Sequence, residues 1–281
     1  MPPPADLPRP AVSPEEYDRD YYLECCAGAK EWRESGGRAP LGLYEGVLKK
    51  VGLQAGETVV DIGTGRGELV AVAIEMGAAR ATGVDYSEAA IDLARETLAV
   101  HDLDERAAVV LADVRSIPLP DGEADLAMLL DVVEHLSPPE LEVALRETYR
   151  LLRPGGRMLV HTMPNRLIYD VTYRLQRAVW PPRWRRWPAE PRRPVELTMH
   201  VNEQTLGSMR RAVRRAGFGD VRGEHGQWLH TSFVPSERAQ RLYPRLAARR
   251  LTAPLGAGDL WVQAVKPLRP SVHRRPPQAG P

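Results

Sequence analysis

The sequence is poor in cysteine and has no long apolar stretch. Its two cysteines, Cys25 and Cys26, are adjacent, and neighbouring cysteines rarely bridge each other, so a disulfide framework is excluded. This composition fits a reducing compartment, and we expect a cytoplasmic protein. No apolar run approaches the roughly 18 residues that suggest a membrane span. The first residues, MPPPADLPRPAVSP, lack the apolar core of a secretory signal, and we expect none.

The sequence also lacks an excess of charge of either sign. It has 38 basic and 37 acidic side chains, which gives a formal net charge of +1. Proteins that bind along nucleic acids usually carry a basic excess, so any such surface would have to be local here. We therefore expect no nucleic-acid partner.

Between two proline-rich ends, the sequence alternates short apolar runs with helix-like runs. The ends, residues 1–14 and 267–281, are predicted to be disordered. The alternation is typical of βαβ units around a parallel sheet, and we predict one α/β domain over residues 15–266, with cap helices at 15–50. Strands are predicted at 57–62, 81–86, 107–112, 125–130, 157–163 and, as a late edge strand, 259–266.

Helices are predicted between these strands. Ser87 is expected to cap a helix whose apolar residues share one face. Asn202 is expected to cap another, which ends at Gly217. Further helices are predicted near 66–77 and from Pro138 to about Leu152.

Two stretches interrupt the alternation, residues 165–198 and 228–258, the second with a helix near 235–250. Insertions late in an α/β sheet can cover its ligand-binding edge, so we predict that both form lids. The first contains WPPRWRRWPAEPRR, which mixes tryptophan with arginine. Such a segment can bind nucleic acid or lie on an anionic membrane. Our preferred interpretation is a lid whose tryptophans cover an apolar pocket.

The central chemical signal is the sequence DIGTGRG at residues 61–67. A buried strand runs into a glycine-rich turn and then a helix, and glycine permits positive φ and close approach of a ligand. The dinucleotide fingerprint would have its third glycine at position 68, where Glu68 stands. This spacing disfavours a NAD site, while a tight turn without a ligand stays an alternative.

Acidic residues follow the next two strands. Asp85 lies 20 residues beyond Gly65, where a carboxylate can accept hydrogen bonds from both ribose hydroxyls. Asp113 ends the third strand, where it could receive the exocyclic amine of adenine. Each alone has a plain alternative, a helix-start carboxylate for Asp85 and a solvated loop residue for Asp113. Acidic residues at the ends of three successive strands, with Asp61 as the first, favour a bound nucleoside.

Together these motifs resemble those of class I S-adenosylmethionine-dependent methyltransferases. The resemblance rests on VVDIGTGRGELV, GVDYS, LADVRSIPLPDGEADLAMLLDVVEHL and LLRPGGRMLVHTMPN, within about residues 44–165, and returns at NEQTLGSMRRAVRRAGF. It implies a Rossmann-like, mostly parallel sheet of seven strands, with one antiparallel strand and helices on both faces. It also implies S-adenosylmethionine as the cofactor.

The same resemblance implies contacts to that cofactor. The first strand end and the glycine loop would hold its methionine part, the second strand end its ribose and the third its adenine. The turn after the fourth strand would face the methionine amine and the sulfonium, and a tyrosine of the N-terminal helices would close over the site. The implied residues are Tyr22, Asp61, Gly63, Thr64, Gly65, Asp85, Tyr86, Asp113, Val114, Leu130 and Asp131.

The segment DVVEHL points to catalytic residues. It resembles the segment after the fourth strand in small-molecule O-methyltransferases of the ubiquinone pathway, and Asp131, Glu134 and His135 would then cluster near the substrate. His135 is the candidate general base, because imidazole titrates near neutral pH. Asp131 and His200 complete the predicted catalytic set, whereas His161 is interpreted as a core histidine.

Two alternatives stay open for this segment. Asp131, Glu134 and His135 could instead hold a divalent ion, or His135 could only pack at a helix start. We assign no metal ligand.

From these residues we expect methyl transfer to an oxygen or nitrogen of a small molecule, such as a secondary metabolite. The insertions are long enough to enclose a small substrate and add no recognisable macromolecule-binding module. The alternatives are an RNA or protein methyltransferase and a non-catalytic module that binds S-adenosylmethionine.

Overall fold

A seven-stranded sheet forms the centre of the molecule in the computed structural model, which describes residues 7–38, 41–103, 105–179, 189–226 and 253–268. The strands lie in the order β3-β2-β1-β4-β5-β7-β6. Strand β7 runs antiparallel to both of its neighbours, and the other pairs are parallel. This confirms the predicted Rossmann-like sheet. The strands are β1 (Thr58–Ile62), β2 (Arg80–Asp85), β3 (Ala107–Leu111), β4 (Ala124–Leu130), β5 (Leu152–Thr162), β6 (Gly219–His225) and β7 (Leu260–Val265).

Helices cover both faces of the sheet. They are α1 (Ala29–Ser35), α2 (Leu41–Val51), α3 (Glu68–Glu75), α4 (Glu88–Val100), α5 (Pro138–Leu151), α6 (Arg174–Val179), α7 (Pro194–Met199), α8 (Leu206–Arg215) and α9 (Ala253–Gly256). Val59 of β1 packs in the core with α2 and α3, and Val60 packs in the opposite core with α5 and α8. Because successive strand residues point to opposite faces, the central strands are apolar on both sides.

Side-chain caps explain where two of these helices begin. Ser87 caps α4 as predicted, and its hydroxyl accepts the N–H of Ala90 at 3.2 Å. The prediction for α8 was wrong, because its cap is Thr205, whose hydroxyl accepts the N–H of Ser208 at 3.1 Å. Asn202 lies three residues earlier, and its N–H donates to the carbonyl of Glu134.

The last two strands differ from the sequence prediction. Strand β7 is not at the edge, since it pairs with β5 on one side and β6 on the other. The edge strand on this side of the sheet, β6, was not predicted. Its sequence, GDVRGEH, contains one buried apolar residue, Val221, and so carries no clear alternation. A polar composition is expected at a sheet edge, where it opposes pairing with another chain.

The proline-rich N-terminal segment contacts the rest of the fold from residue 7 onward. Val12 is buried, and the N–H of Ala11 donates to Glu140 Oε1 at 2.9 Å. The predicted helix near 235–250 and the tryptophan-rich residues 180–188 lie outside the described residues. None of the helices in the described ranges is long and apolar enough to cross a membrane.

Gly67 sets the approach of α3 to α4, and this can be tested. Its φ is +76°, and a Cβ there would lie 2.8 Å from the Cβ of Ala94 on α4. Gly52 is a matched control, since its φ is +72° but a Cβ there would meet nothing within 4 Å. We expect Gly52→Ala to lower the free energy of unfolding by about 1 kcal/mol through left-handed strain alone. Gly67→Ala should cost clearly more, because the two helices must also separate. Urea denaturation measures both, and equal losses would contradict the packing argument.

Candidate active site

A cavity of about 400 Å³ opens at the carboxyl ends of the parallel strands. It lies where β1 meets β2 on one side and β4 on the other, the position at which open α/β sheets bind ligands. All the predicted cofactor and catalytic residues except Asp61 line it, namely Tyr22, Gly63, Thr64, Gly65, Asp85, Tyr86, Asp113, Val114, Leu130, Asp131, His135 and His200. Which of these residues contact a ligand stays a prediction.

Asp85 joins the glycine loop to the start of α4. Its Oδ2 accepts the N–H of Gly65 at 3.0 Å, and its Oδ1 accepts the N–H of Ser87 at 3.0 Å. Burial raises the pKa of Asp85, and hydrogen bonds to the carboxylate oppose the rise. A carboxylate oxygen accepts about two hydrogen bonds, so Asp85 keeps acceptor positions for a ribose hydroxyl.

Asp61 lies beneath the glycine loop rather than in the cavity wall. Along β1 it falls on the same face as Val59, which packs with α2 and α3. Its Oδ2 accepts the hydroxyl hydrogen of Thr64 at 2.8 Å. Burial raises the pKa of Asp61 to about 7. In this arrangement Asp61 orients the loop, and its predicted contact to the methionine part of a cofactor would be indirect.

Arg66, which the sequence analysis did not single out, ties the N-terminal segment to the glycine loop. Its guanidinium is buried and donates to the carbonyls of Tyr22 and Ala27, each at 2.6 Å, and to Glu68 Oε2 at 3.1 Å. Burial raises the pKa of Glu68 to about 7, against the effect of Arg66. These bonds hold the π-helical turn Tyr21–Cys25 over the loop, so Tyr22 packs against Gly65. The position of Arg66 between two glycines is the only sequence signal that it holds the N-terminal segment at the loop.

Asp113 is paired within the fold. Arg115 Nε donates to Asp113 Oδ1 at 2.9 Å, and Arg115 Nη2 donates to Oδ2 at 2.7 Å. Oδ1 also accepts the N–H of Arg115 at 2.8 Å. A carboxylate oxygen accepts about two hydrogen bonds, so Oδ2 keeps one acceptor position for a ligand such as an adenine amine.

Glu134, His135 and His200 lie close together in the cavity wall. The two imidazole rings stand edge to face, with centroids 4.9 Å apart. Burial lowers the pKa of His135 to about 3 and also lowers that of His200, so both rings are neutral at physiological pH. Among the described residues, neither buried Nδ1 has a hydrogen-bond partner. A buried polar atom without a partner is unusual in a folded protein, so these two nitrogens are candidate contacts for a ligand.

Glu134 is a buried carboxyl that keeps its proton near neutral pH. Burial, together with the charge of Asp131, raises its pKa to about 8. Its Oε2 accepts the hydroxyl hydrogen of Thr162 at 2.8 Å. One ligand atom each from Glu134, His135 and His200 lie within 4.8 Å of one another, a spacing that one metal ion could span. Asp131, which the sequence alternative grouped with them, pairs instead with His161, Nδ1 to Oδ1 at 2.8 Å.

An aromatic wall of Tyr17 and Tyr21 from the N-terminal segment, with Tyr86 after β2, closes one side of the cavity. The ring of Tyr17 lies 5.5 Å from that of Tyr86 and 5.6 Å from that of His135. Tyr21 packs edge to face on Tyr17 at 5.1 Å. From the first predicted lid, Arg193 and Glu196 also line the cavity.

Known proteins share both the sequence motifs and the fold. Residues 59–156 match a family described as "Methyltransferase domain". The match falls on the glycine loop and the strand-end acids, and it confirms the resemblance drawn from these motifs.

Two curated relatives and one solved structure illustrate the match. The 27-O-demethylrifamycin SV methyltransferase of Amycolatopsis mediterranei is 35% identical over 109 residues, 38% of this chain and 38% of that protein. The ubiquinone biosynthesis O-methyltransferase of Pseudomonas paraeruginosa is 33% identical over 113 residues, 39% of this chain and 45% of that protein. The matches thus span under half the length of these relatives. Phosphoethanolamine N-methyltransferase 2 of Haemonchus contortus, solved in complex with S-adenosyl-L-methionine, shares the fold with a TM-score of 0.56 at 19% identity, over 80% of this chain and 52% of that chain.

The buried Arg66–Glu68 pair gives a stability prediction. Arg66→Met leaves Glu68 without its cationic partner and two carbonyl groups without their donor, so we expect a loss of about 3 kcal/mol or more in the free energy of unfolding. The double variant Arg66→Met/Glu68→Leu should recover part of this loss, because the unpaired carboxyl is gone. Arg19→Met is the control, since the Arg19–Glu96 pair is exposed, and it should cost less than about 1 kcal/mol. Urea denaturation measures all three, and similar losses from Arg66→Met and Arg19→Met would refute the role of the buried pair.

Proposed function

We propose that the protein transfers a methyl group from S-adenosylmethionine to an oxygen or nitrogen of a small molecule, such as a secondary metabolite. The observation that carries the proposal is the convergence of the glycine loop, Asp85, Asp113 and Asp131 on one cavity. The Haemonchus contortus neighbour with its bound S-adenosyl-L-methionine supports the cofactor. The rifamycin and ubiquinone relatives support a small acceptor.

The residues present fit this cofactor. The cavity volume falls within the range of about 300–1,000 Å³ that is usual for ligand pockets. Gly63 and Gly65 have φ values of +77° and +53°, and their backbone lines the cavity where a ligand can approach it. Asp85 would hold the ribose, and Asp131 would face the amine and the sulfonium of the methionine part. Oδ2 of Asp113 would accept from the adenine amine.

The chain's own contribution to the reaction is alignment, exclusion of water and removal of a proton. The bound cofactor supplies an electrophilic methyl group for in-line displacement. The aromatic wall of Tyr17, Tyr21 and Tyr86 would keep water from the acceptor. The unpartnered Nδ1 of His135 would accept a hydrogen bond from an acceptor hydroxyl. Because burial lowers the pKa of His135 to about 3, the ring would take the proton only as the hydroxyl oxygen bonds to the methyl group and becomes acidic, and the charge of Asp131 favours the imidazolium that forms. An amine that attacks in its neutral form needs this base less.

Cofactor binding is tested by removing the Asp85 carboxylate. Asp85→Ala should weaken S-adenosylmethionine binding strongly, because the ribose loses its acceptor and the loop loses its bond to β2. The control is Asp92→Ala on the exposed face of α4, where Asp92 contacts Arg95, and it should bind like the wild type. Isothermal titration calorimetry gives both affinities, and unchanged affinity in Asp85→Ala would count against the site.

The base is tested by His135→Ala. With a hydroxyl acceptor, we expect kcat to fall by about 10²–10⁴ while cofactor affinity changes little. His101→Ala is the control, because His101 pairs with Glu75 and does not line the cavity. Formation of S-adenosylhomocysteine is followed over a panel of phenols, alcohols and amines. Unaltered turnover would remove His135 as the base, and cofactor binding without turnover on any acceptor would favour a non-catalytic module.

A further inference from the structure

We infer that His161 is a positioning residue, which as an imidazolium between Asp131 and Asp259 fixes the Asp131 carboxylate at the floor of the cavity. The ligand that Asp131 then receives is a cation. That this cation is the methionine end of the cofactor rests on the proposed function.

His161 connects three strands at the cavity end of the sheet. It lies on β5, opposite Leu130 of β4 and Trp261 of β7. Its Nδ1 is 2.8 Å from Asp131 Oδ1, and its Nε2 is 3.2 Å from Asp259 Oδ2. Each ring nitrogen therefore faces a carboxylate oxygen.

The proton count determines the charge of this ring. A neutral imidazole has a single N–H and can donate to only one of two acceptors, whereas an imidazolium donates to both. Asp259 also accepts the indole N–H of Trp261 on the same Oδ2 at 2.8 Å, and its side chain is only 4% exposed. Burial alone would lower the pKa of His161, but the two carboxylates raise it to about 10.

Asp131 is held by both the backbone and the side chain of His161. Its N–H donates to the carbonyl of His161 at 3.0 Å, in addition to the ion pair. Its φ of +55° is unfavourable for a residue other than glycine, so these two contacts stabilise a conformation that the chain would otherwise avoid. The side chain of Asp131 is 44% exposed and lines the cavity. Held in this way, the Asp131 carboxylate is presented to a ligand in the cavity.

The charge state is tested by NMR on the full chain with ¹⁵N-labelled histidine. At about pH 8, above the ordinary histidine pKa of about 6.5, one histidine should show both ring nitrogens protonated in a long-range ¹H–¹⁵N spectrum. That signal should vanish in His161→Gln. A neutral tautomer for His161 at this pH would overturn the inference. The wild-type spectrum requires neither a ligand nor a variant that folds.

The positioning role is tested by Asp259→Asn, which leaves the cavity lining intact. We expect the His161 signal to change to a neutral tautomer, and the KM for S-adenosylmethionine to rise about tenfold or more while the acceptor KM is unchanged. Asp131→Asn/Asp259→Asn should lose no more than Asp131→Asn alone, because both act through one carboxylate. Asp220→Asn, on the exposed edge strand β6, is the control.

The outcomes separate this inference from the proposed function. An unchanged KM for S-adenosylmethionine in Asp259→Asn would overturn the positioning role while the cofactor assignment stands. If the wild type does not bind S-adenosylmethionine at all, the proposed function fails, and with it the ligand assigned to Asp131. The charge of His161 would still be decided by the spectrum alone.

Discussion

The hydrogen bond from the Gly65 N–H to the Asp85 carboxylate connects the loop after β1 to the end of β2. Parallel pairing sets the two strand ends side by side, and positive φ at Gly63 and Gly65 turns the backbone between them. The cavity has its shape because this turn cannot move away from β2. A side chain at Gly63 would collide with Val132 after β4, so the same glycine also lets the end of β4 approach the loop.

Burial divides the cavity into an anionic end and a neutral end. At the anionic end, Asp131 keeps its charge because His161 lies beside it and holds the pKa of that carboxyl below its usual range. At the neutral end, the same low polarity keeps the proton on Glu134 and removes it from His135. A cationic cofactor and an uncharged acceptor would suit these two ends. The difference in charge comes from the partners and not from the residue type, since Asp131 and Glu134 both carry carboxyl groups and lie only three positions apart.

The N-terminal segment forms part of the cavity although it precedes the sheet in the chain. Arg66 donates to two of its carbonyls, and Tyr22 then packs against Gly65. The N-terminal segment therefore owes its place at the cavity to a residue of the glycine loop.

The sequence alone determined the first five strands, the loop and the strand-end acids, because apolar runs, glycine spacing and strand termini are local patterns. It did not predict β6, whose polar residues hide its strand, or the Thr205 cap, since several residues near a helix start can serve. Only the tertiary structure decided the charges and partners in the cavity. From the sequence, His161 is interpreted as a core histidine, but in the fold Asp259, next to β7, lies beside its Nε2. Asp113 has no partner in the sequence pattern, but in the fold Arg115 donates to its carboxylate. A protonation state depends on the groups around a side chain in space, and sequence spacing does not contain that information.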